Sequence, residues 1–483
     1  MVSSAPSPTG ASYNPHFTVR LRSPDISSEP SLGISQNPLS IRRSAQRHPR
    51  HEALHKSLGH DDIHGRIHGS EKSVTNVYLR GTSYVTDVTI GSQTIPLLVD
   101  TGSADLWAVP SSFVCLDTDG HEVHQRDCGF PVSFKGNFSG GVVPDEYFSV
   151  YYGSGQFAFG PYGFETVTLG GITVPNQQIS LPTTGYIQSS TKDYAGIIGL
   201  GYPGMVAARN GAVPRIALNN TDPFASYDPW FFGAIKKNLT RPVFSLALES
   251  DGGGLLGIGG TVDVPTTGGY ASTPILMIDL VGEARAETQF TFYTIIADDY
   301  LINGQSVSNL SSNTNNPLRH SFPVIVDSGF SANMLPPSLV DRFYSAFHTP
   351  PQLVDIGGAE VPAVPCDTEV PSFGIKIENK VFDMSPQEIV IATLNTTVNG
   401  TFVCGLGIQP GLEEAGALGD TFLSGVVAVF DIGASEMRFS SRVRATKDPA
   451  FDPEKYPGDK SIGSPTKSLT AQPGRSQPKQ HGS

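Results

Sequence analysis

The sequence predicts an all-β protein with minor helix, built as two similar lobes. Three observations predict this. Short apolar runs recur throughout and are punctuated by 52 glycines and 38 prolines, the pattern of strands and turns. Few stretches hold a 3.6-residue period long enough to make a helix. One motif also occurs twice, as Val99-Asp100-Thr101-Gly102-Ser103 and Val326-Asp327-Ser328-Gly329-Phe330. At 483 residues the chain can bury more than one core, and two lobes of roughly 180 residues are of ordinary domain size.

The repeated motif sets the organisation. Ile95-Pro96-Leu97-Leu98-Val99 leads into the first copy and Phe322-Pro323-Val324-Ile325-Val326 into the second; each reads as a buried strand that ends at an aspartate and a glycine turn. A carboxylate in that setting is costly to desolvate unless it is hydrogen-bonded or used, so its appearance twice marks Asp100 and Asp327 as partners in one site. The match is longer than a chance turn: residues 99–110 (VDTGSADLWAVP) line up with 326–337 (VDSGFSANMLPP), closing proline included. A second echo follows, because Gly199 of Ile197-Ile198-Gly199-Leu200 lies 99 residues after Asp100 and Gly419 of Ala417-Leu418-Gly419 lies 92 after Asp327. The lobe is duplicated.

These motifs, with Tyr152-Gly153-Ser154-Gly155 and Phe430-Asp431, resemble in order the pepsin-like aspartic endopeptidases of fungal type, over residues 75–444. The resemblance implies a bilobal fold with a central cleft, a protein or peptide substrate and no cofactor. It makes Asp100 and Asp327 the catalytic pair, a dyad that shares a proton because two touching carboxylates do not both ionise readily. It implies that Thr101 and Ser328 cross-link the turns closed by Gly102 and Gly329, and that Ser103 holds the outer oxygen of Asp100. Tyr152, Gly153 and Ser154 become a flap over the substrate, with Trp107 bonded to Tyr152. One departure stands out: the family places a hydroxyl three residues after the second aspartate, where this chain has Phe330. Asp327 then loses a hydrogen bond that favours its ionised form, with Ser331 the available substitute; both residues belong to the substrate side of the site.

Other readings compete at several points. Tyr152 also suits a plain cross-strand aromatic, and Trp107 a core residue whose N–H needs a partner. A catalytically silent pepsin-like binding protein would keep the cleft, though silent members commonly lose an Asp, the Gly or the flap tyrosine. A two-carboxylate glycosidase needs no matching turns and has an aromatic-rich sugar platform, whereas this chain has two tryptophans.

Composition narrows the setting. A formal charge of −13 argues against nucleic acid, which requires a basic face. No run reaches the roughly 18 apolar residues of a membrane helix, and the expectation is a monomer. Of the three pairings open to four cysteines, Cys115 with Cys128 and Cys366 with Cys404 keeps each bridge inside one lobe; no CxxC or histidine-rich cluster near them suggests a metal. Sequons at Asn137, Asn219, Asn238, Asn309, Asn395 and Asn399, together with paired cysteines, point to a secreted or vacuolar protein.

In chain order, residues 1–72 carry nine Lys/Arg and six Asp/Glu, net +3, against −16 for the remainder. Opposite signs suggest a propeptide-like segment covering an acidic body. It lacks the basic and apolar regions of a signal peptide, and the run of His48, His51, His55, His60, His64 and His68 suits a solvated stretch, a metal site or a pH sensor. The first lobe spans 73–262, with a strand at 84–90, a bridged loop holding Cys115 and Cys128, the flap hairpin 148–157, an extended surface loop at 203–230 and a short helix near 229–237. The turn-rich run Val264-Pro265-Thr266-Thr267-Gly268-Gly269 reads as the inter-lobe connection. The second lobe, 263–444, carries a short helix at 338–347, and residues 445–483 form a Pro-, Lys- and Ser-rich tail expected to be disordered.

Overall fold

The computed structural model describes residues 17–20, 37–43, 75–78 and 81–443, apart from 118, 188–193, 214–221, 250–252, 281–288, 308–321, 357–358 and 413–414. Most of segment 1–72, its histidines, and the tail 445–483 lie outside the described residues.

Strands dominate, and among the described residues the α-helices are short: Trp230–Lys236, Pro337–Ser345, Pro386–Ile389 and Asp420–Leu423. In the first lobe Gly81–Ile90 and Gln93–Asp100 form an antiparallel hairpin in the register Val85 to Leu98. The second strand ends buried on Leu97, Leu98 and Val99, which carries Asp100 to the middle of the molecule. Gly196–Gly199 then runs parallel to it, with Gly199 opposite Asp100, and antiparallel to Leu106–Ala108. The second lobe repeats the arrangement: Gly416–Leu418 runs parallel to Pro323–Val326 and antiparallel to Asn333–Leu335. The duplication read from the sequence is thus a duplication of topology.

One antiparallel sheet belongs to both halves. Its order is Asn37–Arg43, Gly253–Ile258, Val243–Glu249, Val426–Asp431, Glu436–Arg442, Thr266–Pro274. Phe244 from the first half stacks on Phe430 from the second at 4.4 Å, and both are fully buried. Burying two phenylalanines stabilises by about 1.5–3 kcal/mol each, so the halves are joined by core packing and backbone pairing together. Thr266 to Gly269, expected as a connection, instead belong to an edge strand of this sheet. The register shifts between Thr267 and Ala271, where Gly268 and Gly269 take positive φ: the glycines that read as a turn make a bulge.

The expected surface loop at 203–230 is also corrected. Ala208–Asn210 is a strand paired with Val142–Tyr151, and Val206, Ala207 and Ala208 are buried, because Met205-Val206-Ala207-Ala208 supplies an apolar run that the flap strand covers. In segment 1–72 the described strands pair with the body: Phe17–Arg20 lies at a sheet edge against Leu276–Leu280, and Asn37–Arg43 runs against Gly253–Ile258 and, at Arg42 and Arg43, against Gly81–Ile90. Disulfides join Cys115 to Cys128 and Cys366 to Cys404. Among the described residues no helix is long and apolar enough to cross a membrane.

Candidate active site

The two Asp-Thr/Ser-Gly turns meet and are tied by four hydrogen bonds. Thr101 Oγ1 donates to Val326 O (2.9 Å) and accepts from the Ser328 N–H (3.0 Å). Ser328 Oγ donates to Val99 O (2.8 Å) and accepts from the Thr101 N–H (3.2 Å). Each hydroxyl satisfies a buried amide and a buried carbonyl of the opposite turn, groups that would otherwise be left orphaned where the strands end. A hydroxyl residue is required at both positions for that reason.

Inside this frame the carboxyls of Asp100 and Asp327, 6% and 4% exposed, hydrogen-bond to each other. The Gly102 N–H donates to Asp100 Oδ1 (2.8 Å) and the Gly329 N–H to Asp327 Oδ1 (2.7 Å). Space explains the glycines: a Cβ on Gly102 would fall 2.0 Å from Asp327 Oδ2, and one on Gly329 2.7 Å from Asp100 Oδ1. The glycines of the second echo are likewise close approaches, with a Cβ on Gly199 meeting Ala104 C at 2.4 Å and one on Gly419 meeting Phe330 O at 2.3 Å.

The aspartates are not equivalent. Asp100 Oδ2 also accepts from Ser103 Oγ at 2.5 Å, while the matching position beside Asp327 is Phe330. The carbonyl of the next residue, Ser331, accepts from Thr421 N and Oγ1. Burial holds the Asp327 carboxyl well above the usual carboxylate range, and the neighbouring Asp100 charge adds to the effect. The arrangement therefore favours a proton on Asp327.

Above the pair, Val142–Tyr151 and Phe157–Leu169 form a hairpin whose tip is closed by Tyr152 N–H to Gln156 O (2.8 Å) and Gly155 N–H to Tyr152 O (2.9 Å). Gly155 has φ +82°, the left-handed region that glycine enters without strain. Trp107 Nε1–H donates to Tyr152 Oη at 2.8 Å, and Tyr152 is half-buried while Gly153, Ser154 and Gly155 are exposed. Burial raises the Tyr152 hydroxyl well above its ordinary pKa, with the Asp100 charge adding to it, so it stays protonated.

Sequence reasoning missed a further buried carboxylate beside the pair, Asp105, 3% exposed. Its Oδ1 accepts from Tyr162 Oη (2.6 Å) and Tyr227 Oη (2.7 Å), and its Oδ2 from the Ala207 N–H (2.7 Å). Burial first, and then the Asp105 charge, raises both tyrosines well above their ordinary pKa, which keeps them as donors. Asp105 thereby ties the strand that returns from the flap and the 203–230 segment to the residue two before Trp107. Its only sequence signal was its place inside the first motif, where the duplicate has Ala332.

Away from the cleft, Asp117, Asp119 and His121 bring potential ligand atoms within 4.8 Å of one another. Backbone N–H groups of Asp119 and His121 already hold Asp117 Oδ1 (2.9 and 2.8 Å), and the latter bond is the main reason the Asp117 pKa is lowered. The trio is a capped turn inside the Cys115–Cys128 loop.

Comparison with known proteins agrees with this geometry. The family model for eukaryotic aspartyl protease matches residues 83–442. A probable aspartic-type endopeptidase of Aspergillus fumigatus is 28% identical over 75% of this chain and 80% of its own length. Aspergillopepsin-1 of Aspergillus oryzae is 24% identical over 85% of this chain and 93% of its own; penicillopepsin-3 of Penicillium janthinellum is 24% identical over 74% and 78%.

Proposed function

Since the chain belongs to the eukaryotic aspartyl protease family, we propose that it is an endopeptidase that hydrolyses peptide bonds in acid through Asp100 and Asp327. The observation that carries the reading is the buried, mutually hydrogen-bonded carboxyl pair held by cross-linked turns. Asp100, supported by the Gly102 N–H and Ser103 hydroxyl, carries the charge and accepts a proton from the attacking water. Asp327, kept neutral by burial, donates to the scissile carbonyl oxygen as negative charge develops there. Collapse of the tetrahedral species returns a proton to the leaving amine and breaks the C–N bond, so neither a covalent intermediate nor a cofactor is needed. Tyr152, pinned by Trp107, places the flap over the peptide and keeps water from the intermediate.

Further parts of the reading follow from the same residues. Ser154 offers no counter-charge, so the pocket before the scissile bond prefers large apolar side chains to lysine. The basic segment 1–72 acts as a propeptide on the acidic body. The enzyme works as a secreted or vacuolar monomer. A binding-only role is less favoured because both carboxyls, both turn glycines and the flap tyrosine are in place.

The test is cleavage of an acid-denatured globular protein by the full chain, with and without a statine-type transition-state mimic. Cleavage in acid that the mimic stops, and that is lost in Asp100→Asn, supports the proposal. Cleavage indifferent to both would refute it.

A further inference from the structure

The two catalytic turns share their inner hydrogen bonds and differ at the third residue after each aspartate. On one side the small Ser103 is consumed by Asp100 Oδ2. On the other stands Phe330, half-buried and rooted by its backbone: its N–H donates to Asp327 O (3.3 Å) and its carbonyl accepts from the Asp420 N–H (2.8 Å). Gly419 packs so closely on that carbonyl that a Cβ would lie 2.3 Å from it, which leaves the backbone no room to withdraw. From this base the ring reaches toward the flap, and its Cζ lies 3.6 Å from where a Cβ on Gly153 would be. The phenyl ring therefore fills, beside Asp327, the gap between catalytic turn and flap tip through which a substrate strand must pass. Beside Asp100 the same position holds only a serine.

We propose that Phe330 is a size filter: it restricts the substrate residue lodged beside the Asp327 turn to glycine, alanine or serine. The proposal rests on the endopeptidase reading above. A large side chain could enter only by displacing a ring whose base is fixed or by lifting the flap, and lifting the flap strains the Trp107–Tyr152 bond (2.8 Å). The filter acts on a different substrate position from the pocket before the scissile bond.

The experiment profiles a peptide library, randomised on each side of one cleavage site, with the full chain and with Phe330→Ala and Gly153→Ala. A binding arm measures, by calorimetry, two statine-type peptides that differ only by Ala or Phe at the filtered position. Wild type is expected to favour Ala over Phe there by about tenfold or more in kcat/KM. Phe330→Ala should reduce the ratio to about threefold or less by admitting Phe, and Gly153→Ala, which narrows the gap from the flap side, should increase it. An unchanged ratio in both variants, or wild type accepting Phe at every position, overturns the filter. If no form cleaves peptides but the inhibitor pair is discriminated by wild type and not by Phe330→Ala, the filter stands and the endopeptidase reading falls. Equal binding of the pair to all forms overturns the filter by itself.

Discussion

Thr101→Val removes a hydroxyl while keeping the branched shape, and so tests the cross-link between the turns directly. Oγ1 makes two of the four inter-turn bonds, to Val326 O and from the Ser328 N–H. Thr101, Val326 and Ser328 are each 1% exposed, so water does not replace the lost partner. A buried polar group left unsatisfied costs about 1–3 kcal/mol; two such groups put the loss at about 2–6 kcal/mol. The valine methyl fills the hydroxyl's volume, so no cavity term is added. The Ser328 Oγ bonds to Val99 O and the Thr101 N–H survive and hold the lower half of that range. The assay is urea unfolding in acid, followed by far-ultraviolet circular dichroism and tryptophan fluorescence, with kcat measured alongside. A shift of about 2–4 kcal/mol with a fall in kcat is expected, and Thr101→Ser, which restores the hydroxyl, should recover most of both. A change in unfolding free energy under about 0.5 kcal/mol would refute the cross-link as a stabilising element.

Four further outcomes follow. Asp327→Asn should abolish hydrolysis while leaving the circular dichroism spectrum unchanged, since an amide keeps the shape and cannot supply the shared proton; near-normal turnover would end the dyad mechanism. Because burial raises the Asp327 pKa, its neutral form and any stability tied to it are present in acid and lost as pH rises through that raised value. Phe330→Thr, by offering Asp327 a hydroxyl donor, should move the alkaline limb of kcat to lower pH; a shift to higher pH contradicts the assignment. Asp105→Ala strands two tyrosine hydroxyls and one amide, so it should cost about 3–5 kcal/mol, against about 1–2 kcal/mol for Tyr227→Phe; equal, negligible losses in both would show that the network does not stabilise the flap side. Ser154→Asp should raise kcat/KM for peptides with lysine before the cleaved bond relative to leucine, and an unchanged ratio would show that Ser154 does not face that pocket.

What the sequence disclosed was what is local and repeated. Asp100 and Asp327 were legible because each sits where a continuous apolar strand stops at a small-residue turn, and because the whole surround recurs. The elements that escaped depend on long-range pairing. Asp105 meets Ala207 and Tyr227 from 102 and 122 residues away, a distance at which no period or spacing carries information. The run 264–269 has the glycines and proline of a turn, yet pairing with Glu436–Arg442 overrides that local preference and converts Gly268 and Gly269 into a bulge. Val206 to Ala208 were hidden by the Asn- and Pro-rich residues around them, whose composition says nothing about the short buried run they enclose.

Duplication supplies two similar turns, but catalysis by a carboxyl pair requires that they differ, since one must hold a proton while the other holds charge. The turns differ at the third residue after each aspartate. Ser103 adds a hydroxyl donor to Asp100; Phe330 has no hydroxyl to offer Asp327, whose carboxyl is raised chiefly by burial. The strands, the backbone donors of Gly102 and Gly329 and the Thr101–Ser328 cross-links are shared, so they position both carboxyls without favouring either. On the mechanism and filter proposed above, the same exchange that sets the two carboxyls apart also places a ring on the Asp327 side of the cleft. Acid–base assignment and substrate size are therefore coupled through one residue, and replacing Phe330 by threonine should shift both the pH profile and the side-chain selectivity, whereas replacing it by alanine should change the selectivity with a smaller effect on the alkaline limb.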